Sequence, residues 1–467
     1  MNIKYYFCRQ NITIMNALSH AYTAVVTVAA MLLAPVSVVA QTDTPQADTL
    51  QKANQLTVGL SFMGHGEVRG GGLPRPADKE TVVEAHANFL LGRLRLSVGY
   101  KRKWLELQAV IQNKAVWGTK GNMALNLYEG YARMKAPCGL FGQLGRVALA
   151  YDDERIIGPN DFAMAALSHD VLRFGYEGHG HKAHAILAYN QNAENVNLGT
   201  YYISGAQPYK SMQTVWYHYD VPTFPLGASL LFMNIGLQAG QNGVDAHTEY
   251  QQVMGAYVNY HPKWLTLEGS YYRQIGQQVD NELAIGKIDA WMASVKATIK
   301  PNGHYGFELG YDYLSGDDYV SVPRPGGFGL VRHVVHKGFS PVYGSRTKFY
   351  GLMDYFYESA YINGFTPGLQ NAFVGAFCKP VPKLFLGAAY HYLAVTTKLE
   401  KLDSTLGHDI ELLASYRFSP DVSLTAGFSF MIGTETMDRL KQGDDDKHVS
   451  WGWFSLNISP TLFKTRW

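Results

Sequence analysis

Three consecutive residues, Ser168, His169 and Asp170, carry the groups of a nucleophilic triad. Such a triad works only if the hydroxyl, the imidazole and the carboxylate lie within hydrogen-bond reach of one another. The sequence around them has the pattern of a β-strand, and neighbours on a strand point to opposite faces. The three groups therefore cannot form a relay, and the sequence predicts no catalytic site.

Two further clusters contain residue types that bind metals. His179, His181 and His184 lie close together, but they straddle a predicted turn and a strand whose faces alternate, so we predict no metal site there. Residues 443–446, Gly-Asp-Asp-Asp, offer oxygen ligands that could bind Ca²⁺ or bridge lipopolysaccharide through divalent ions. A solvated turn is the favoured interpretation of that run, and the sequence predicts no cofactor.

Most charged residues that could act on a solute lie on one face of an alternating pattern. Leu94 and Leu96, for example, alternate with Arg93 and Arg95, and a period of two predicts a strand with one apolar face. An Arg or Lys that faces lipid at mid-depth costs about 2–4 kcal/mol, so the charged faces are predicted to look into the lumen of a barrel. The residues predicted to face inward are Arg93, Arg95, Glu106, Glu129, Arg133, Arg173, Lys182, Glu268, Glu308, Asp312, Asp409, Glu411 and Arg417.

The elements that position these charges repeat one pattern along the chain. Residues 420–432 show it: a turn at Pro420 leads into a run in which apolar residues alternate with small or polar ones. We count about 18 such strands, joined alternately by short and long connections, as in barrels of the outer membrane. The predicted fold class is all-β, a transmembrane antiparallel up-and-down β-barrel of about 18 strands.

Composition favours a membrane barrel over a soluble domain. Only 17% of the 467 residues are charged, against about 25% in soluble domains. The net charge is +2 without a basic run, so we predict no nucleic-acid binding. Residues 1–40, with Lys4 and Arg9 before an apolar core, are typical of a signal peptide. Residues 41–54 are predicted as a periplasmic linker, and residues 55–467 as the barrel.

A barrel of 16–18 strands leaves room for an aqueous channel. The inward charges of both signs could select ions or sugars, or they could simply form pairs that fill and stiffen the barrel. The long connection 315–370 is rich in basic residues, among them Arg324, Arg332 and Lys348. We predict that it constricts or covers the pore and favours anionic solutes; a solvated extracellular loop is the alternative.

A series of short motifs resembles the alginate-export family of outer-membrane proteins. The segments are, in order, Leu-Gly-Arg at 144–146, Tyr-Asp-Asp-Glu-Arg-Ile-Ile-Gly at 151–158, Asn-Asp-Phe at 160–162, His-Asp-Val-Leu-Arg-Phe at 169–174, residues 339–356, and Gly-His-Asp-Ile-Glu-Leu at 407–412. The resemblance covers most of the chain after residue 40 in the same order.

The resemblance implies an 18-stranded monomeric channel, which in that family passes an anionic uronate polysaccharide. The matching positions are Arg146, Asp153, Arg155, Asp161, Asp170, Arg173, Lys348, Asp354 and Glu411. Arginine–carboxylate pairs at these positions could hold a loop against the barrel wall, with Arg155 paired to Asp161 or Asp170; a role in the fold alone is the alternative. The inward carboxylates about match the inward cations, whereas a conduit for a polyanion should be dominated by cations.

The function predicted from these features is a channel, not an enzyme, for hydrophilic solutes such as anionic sugars or polysaccharides. The alternatives are an adhesin-like barrel whose lumen is closed by loops and, less favoured, a barrel enzyme at the membrane surface. Expected partners are outer-membrane lipid, lipopolysaccharide, the solute, and the barrel-assembly machinery, whose recognition signal the terminal Trp467 resembles.

Overall fold

A computed structural model describes residues 54–70, 86–119, 124–190, 209–240, 244–280, 283–317, 334–353, 356, 366–399, 401–441 and 448–467. The predicted signal peptide, Asp354, and the acidic run 443–446 lie outside these residues.

Strands dominate the described chain. In chain order they are β1 Gln55–Gly70, β2 His86–Lys101, β3 Leu105–Val116, β4 Ala124–Lys135, β5 Leu140–Val147, β6 His169–Gly178, β7 His181–Tyr189, β8 Ser211–Asp220, β9 Leu226–Ala239, β10 His247–Tyr260, β11 Leu265–Asp280, β12 Leu283–Ile299, β13 Tyr305–Leu314, β14 Val334–His336, β15 Leu369–Val381, β16 Leu384–Ala394, β17 Thr405–Ser419, β18 Val422–Gly433, β19 His448–Ile458 and β20 Thr461–Arg466. A short helix, α1 Glu435–Lys441, follows β18. Among the described residues, no helix combines the length and the apolar character needed to cross a bilayer.

The strands close into an 18-stranded antiparallel barrel, which confirms the predicted fold class. β1 pairs with β2 on one side and with both β19 and β20 on the other, so the last two segments form one barrel strand interrupted at Pro460. β14 has three residues and is too short to count as a membrane-spanning strand; it pairs in parallel with the first part of β12. The amide of Asn54 donates to the carbonyl of Trp467 at 3.0 Å, so the described start and the end of the chain meet at one rim.

The outer face of the barrel is apolar. Phe307, Leu309 and Leu412 are each about half exposed on strands whose alternate residues are buried inside. Asp312, two residues past Gly310 on the opposite face of β13, is 2% exposed. A closed barrel with this outer surface is solvated by lipid, because exposing a continuous apolar band to water would be unfavourable.

Short turns of two to five residues join β2 to β3 and every second pair after it, at the rim that holds both described chain ends. Longer connections lie at the opposite rim, in the predicted phase. One of them differs from prediction: the sequence predicts strands over 265–274 and 289–299, whereas β11 continues to Asp280 and β12 begins at Leu283. Gln277 and Gln278 break the apolar alternation, but antiparallel backbone pairing needs no apolar face once a hairpin leaves the lipid.

Candidate functional site

Among the described residues, two of the connections from the long-loop rim fold deep into the barrel. We name residues 148–168, between β5 and β6, the first inward loop, and residues 337–353, between β14 and β15, the second inward loop. Leu149, Ile156 and Ile157 of the first loop are at most 2% exposed, in the same apolar cluster as Phe339 and Tyr343 of the second. The loops therefore form a packed core inside the lumen.

The barrel wall supplies the other half of that core. Ile186, Met212, Met233 and Met292 lie on the inward faces of β7, β8, β9 and β12 and are 0% exposed. Where the loops pack, these faces are apolar, whereas the sequence predicts an inward surface of charges. The reason is that an inward loop needs an apolar surface to bury its own apolar side chains.

The first inward loop begins with a tight turn of four consecutive charged residues, 152–155, whose side chains reach different partners. Asp152 and Glu154 adopt left-handed backbone conformations, with φ of 54° and 67°. Asp152 accepts a hydrogen bond from Trp216 Nε1 at 3.0 Å on β8. Burial raises the pKa of Asp152, against the lowering effect of hydrogen bonds from Ser229 and Trp216. A carboxylate placed this deep pins the loop to the wall.

Arg155 is the centre of the arrangement and is 5% exposed. Its guanidinium lies 3.1 Å from Asp153 and 3.2 Å from Asp312 on β13, and it donates to Tyr350 Oη at 2.8 Å and to Ser294 Oγ at 3.0 Å.

The guanidinium also lies over the ring of Phe349, 4.0 Å from its centroid. Burial by itself would lower the pKa of Arg155, but Tyr350, Asp312 and Asp153 raise it well above its ordinary value. One side chain thus joins the first loop, the second loop and the wall.

The two inward loops also pair through their backbones. Tyr343 donates to the carbonyl of Ile156 at 3.1 Å, and Gly158 donates to the carbonyl of Tyr343 at 2.9 Å, which makes a parallel bridge. Ser345 Oγ donates to Glu154 at 2.7 Å, and Lys348 Nζ lies 2.6 Å from the same carboxylate. The loops are therefore held to each other as well as to the barrel.

The tip of the second inward loop reaches the wall at β17. The amide of Leu352 donates to Glu411, and His391 Nε2 lies 3.7 Å from that carboxylate. Gly351 has φ of 95°, and a Cβ there would lie 2.9 Å from Asp409 Oδ2. Asp409 and Glu411 therefore lie directly beneath the loop tip.

The far part of the first inward loop is bound to β2. Asp161 accepts from Arg95 Nη1 at 2.6 Å and lies 3.4 Å from Arg93 Nη2. Arg93 also donates to the carbonyls of Asp161 and Ala163, while Arg95 lies 3.7 Å from the ring centroid of Tyr128. Asp161 itself is about half exposed, so this cluster keeps contact with the solvent in the lumen.

The remaining predicted residues lie along the wall near the start of the first loop. Arg146 and Asp170 form a two-bond pair across β5 and β6, at 2.8 and 2.6 Å. Arg173 donates to Gln143 and to Tyr151 Oη, Arg133 pairs with Glu177 at 2.9 Å, and Glu129 accepts from the amide of Ala148 at 3.2 Å.

The predicted pairing of Arg155 with Asp161 or Asp170 is wrong. Asp161 is bound to Arg93 and Arg95 of β2, and Asp170 to Arg146 of β5. After the left-handed turn, Arg155 reaches β12 and β13 instead. His169 bonds to Tyr209 Oη at 2.9 Å and Asp170 to Arg146, so the consecutive Ser-His-Asp run is divided among different partners.

Sequence reasoning missed several partners of Arg155 and Glu154. Tyr350, Ser294 and Ser345 gave no signal as functional residues, although Ser294 falls on the polar face of its strand. Only its place on an inward face could have singled it out.

A cavity of ≈ 720 Å³ lies between the tip of the second inward loop and the short-turn rim. Lys348 to Leu352 border one end, and residues 302–304 of a short turn border the other. Glu268 and Lys296, 3.3 Å apart, line it from β11 and β12. Its volume is that of a site for a small molecule.

The fold resembles that of several solved structures. No family model matches the chain, and no curated protein sequence matches it either. The crystal structure of OccK11 (OpdR) from Pseudomonas aeruginosa, an outer-membrane porin, superposes with a TM-score of 0.56 at 12% identity, covering 87% of this chain and 96% of its own. OccK2 (OpdF) from the same organism has a TM-score of 0.57 at 11% identity, with 87% and 98% covered. A structure of OccK2 in complex with glucuronate has a TM-score of 0.56 at 11% identity, with 87% and 98% covered. At these identities the likeness concerns the fold of the barrel.

Proposed function

We propose that the protein is an outer-membrane channel that passes hydrophilic solutes through a lumen narrowed by two inward loops. The observation that carries the proposal is the joining of those loops inside a lipid-facing barrel, through the Ile157–Tyr343 bridge and Arg155. A constriction built from buried ion pairs keeps its shape while solutes pass. The fold shared with outer-membrane porins supports this role.

The site residues then have two roles in the proposal. Loop anchoring falls to the paired groups that join loops and wall, and pore lining to those that keep solvent contact. The residues concerned are Arg93, Arg95, Glu129, Arg133, Arg146, Asp153, Arg155, Asp161, Asp170, Arg173, Lys348, Asp409 and Glu411. Export through a cleaved signal peptide and insertion by the barrel-assembly machinery belong to the same proposal.

Anionic sugars are the solutes we favour. Arg93 and Arg95 lie together on β2 with one half-exposed carboxylate between them, so two cations share one anion in contact with the lumen. Lys348 is half exposed at the edge of the second inward loop, where Glu154 balances its charge. The positive charge of Arg93 and Arg95 would raise the concentration of anions near the constriction. The complex of OccK2 with glucuronate offers an anionic sugar as a probe.

Small sugars fit the geometry better than polymers. The loops and the wall share a packed apolar cluster that occupies part of the lumen, and passage of a polysaccharide would require the loops to leave it. Export of a uronate polysaccharide, which the alginate-export resemblance implies, is the second candidate. Its test is whether a uronate oligomer crosses as readily as the monomer.

The test is electrical. Residues 41–467 would be reconstituted in a planar bilayer, with single-channel conductance and the reversal potential recorded across a KCl gradient. A steady conductance with anion preference is expected, and liposomes containing the protein should swell in glucuronate. Cation preference would refute the anionic selectivity but keep the channel. A folded barrel without conductance would refute the channel and favour a loop-closed barrel that binds partners at the surface.

A further inference from the structure

Four aromatic rings lie along the inward faces of β15 and β16, within the ≈ 720 Å³ cavity. Phe373 stacks with His391 at a centroid distance of 5.4 Å and an angle of 22°. Phe377 stacks with Phe385 at 5.8 Å and 25°. The three phenylalanines are only partly buried, so they present ring surface to the cavity.

Glycines on the neighbouring strand β13 explain how the rings lie. A Cβ added to Gly310 would collide with the ring of Phe373, and one added to Gly306 would collide with the ring of Phe377. The rings therefore lie across the backbone of these glycines instead of standing into the lumen. The edges of the Phe373 and Phe377 rings thus lie against the wall, and both rings border the cavity. Lys300 Nζ lies over the Phe377 ring, 6.0 Å from its centroid.

Charged groups surround this aromatic surface in equal numbers. Glu308 lies next to the rings, and a Cβ on the adjoining Gly375 would be 3.3 Å from its Oε1. The charged side chains that line the cavity are Asp153, Glu268, Glu308, Asp312 and Glu411, with Arg155, Lys296, Lys300, Lys348 and Lys379. Among the described residues, the five carboxylates balance the five cations, so this lining gives no reason to prefer an ion over a neutral polar molecule.

We propose that this cavity is a binding site for the pyranose ring of a saccharide, an inference that rests on the proposed channel function. The C–H face of a pyranose carries partial positive charge and fits the negative face of an aromatic ring. Its hydroxyl groups both donate and accept, which suits a border of carboxylates and ammonium groups such as Glu308 and Lys296. A polar solute that leaves the loop constriction would meet this surface before it reaches the short-turn rim.

The alternative is that the rings only cover glycines and stabilise the wall. The two roles differ in one measurable respect. A structural role needs apolar volume over Gly306, which leucine supplies, whereas sugar stacking needs the ring face of Phe377. Phe307 offers a matched control, since it is a half-exposed phenylalanine on β13 that faces lipid.

The experiment measures block of the single-channel current by D-glucose, with D-glucuronate and the open-chain polyol D-glucitol as further probes. The concentration of glucose at half block should rise about fivefold to tenfold in Phe377→Ala and Phe377→Leu, the loss of one aromatic contact. It should stay within about twofold in Phe377→Trp and in Phe307→Ala. Glucuronate should block at a concentration near that of glucose, and glucitol only weakly.

Each outcome decides one statement. Equal block in the unmodified channel and in Phe377→Leu would overturn the aromatic site, and so would equal block by glucose and glucitol. A steady current that no sugar reduces would also overturn it while leaving the channel intact. Absence of any current from the folded, unmodified chain would refute the channel function itself. Because Phe377→Leu keeps the apolar volume, it remains informative if Phe377→Ala fails to fold.

Discussion

Replacing Arg155 with Met should release the inward loops without unfolding the barrel. Methionine keeps much of the apolar stem but removes the charge that lies 3.2 Å from Asp312 and 3.1 Å from Asp153. None of the strand pairings that close the barrel involves Arg155. The loss therefore falls on loop docking.

The magnitude follows from burial. Removal of one partner of a buried ion pair typically costs about 3–5 kcal/mol because the other charge is left uncompensated. Asp312 keeps hydrogen bonds from Ser294 Oγ at 2.6 Å and Asn371 Nδ2 at 2.9 Å, so the cost should fall at the lower end, about 3 kcal/mol. That corresponds to about a hundredfold larger population of undocked loops.

Hydrogen exchange reports that population directly. The amides of Gly158 and Tyr343 make the bonds between the loops, and their exchange should accelerate about a hundredfold as local opening becomes easier. The single-channel current should become noisier and larger. Circular dichroism should remain that of a folded barrel.

Arg273→Met is the matched control. Arg273 pairs with Asp289 at 2.9 Å on the outward side of β11 and β12, the side that Tyr271 also faces, and touches neither inward loop. Its loss should therefore leave the exchange of the loop amides unchanged. Asp312→Asn in the Arg155→Met background should recover part of the loss, since it removes the uncompensated charge. Unchanged exchange at Gly158 and Tyr343 in Arg155→Met would refute the reasoning that this arginine holds the loops.

Three further changes test other parts of the arrangement. Asp161→Asn leaves Arg93 and Arg95 without their carboxylate. The reversal potential in a KCl gradient should therefore shift toward anion selectivity. A shift toward cation selectivity would contradict the assignment of these arginines to the lumen. Gly351→Ala places a side chain at φ of 95°, a left-handed conformation that costs about 1 kcal/mol or more, and should raise current noise with no change in barrel folding by circular dichroism. Leu412→Arg puts a charge on the lipid-facing surface of the barrel. It should lower the free energy of unfolding from vesicles, measured by urea titration, by about 2–4 kcal/mol. An unchanged free energy would place this position outside the bilayer.

The sequence by itself determined the barrel. Alternation such as that of Leu94 and Leu96 with Arg93 and Arg95 depends only on the period of a strand, and lipid forbids the opposite orientation. The phase of short and long connections, together with closure of an even number of strands, then sets strand count and topology. The β11–β12 hairpin escaped this reasoning because strands outside lipid need no apolar face.

Only the tertiary structure decided how the lumen is filled. The partners of Arg155 and Glu154, such as Asp312 and Ser345, are more than 150 residues away in the chain. The sequence does not distinguish Asp312 from the other inward carboxylates as a partner for Arg155. The direction of the Arg155 side chain depends on left-handed backbone conformations at Asp152 and Glu154, and no glycine there marks the turn in the sequence. Local patterns determine which face of a strand a residue occupies. Which loop packs against which inward face is determined by packing complementarity between segments that are distant in the chain. That complementarity exists only once the barrel has closed.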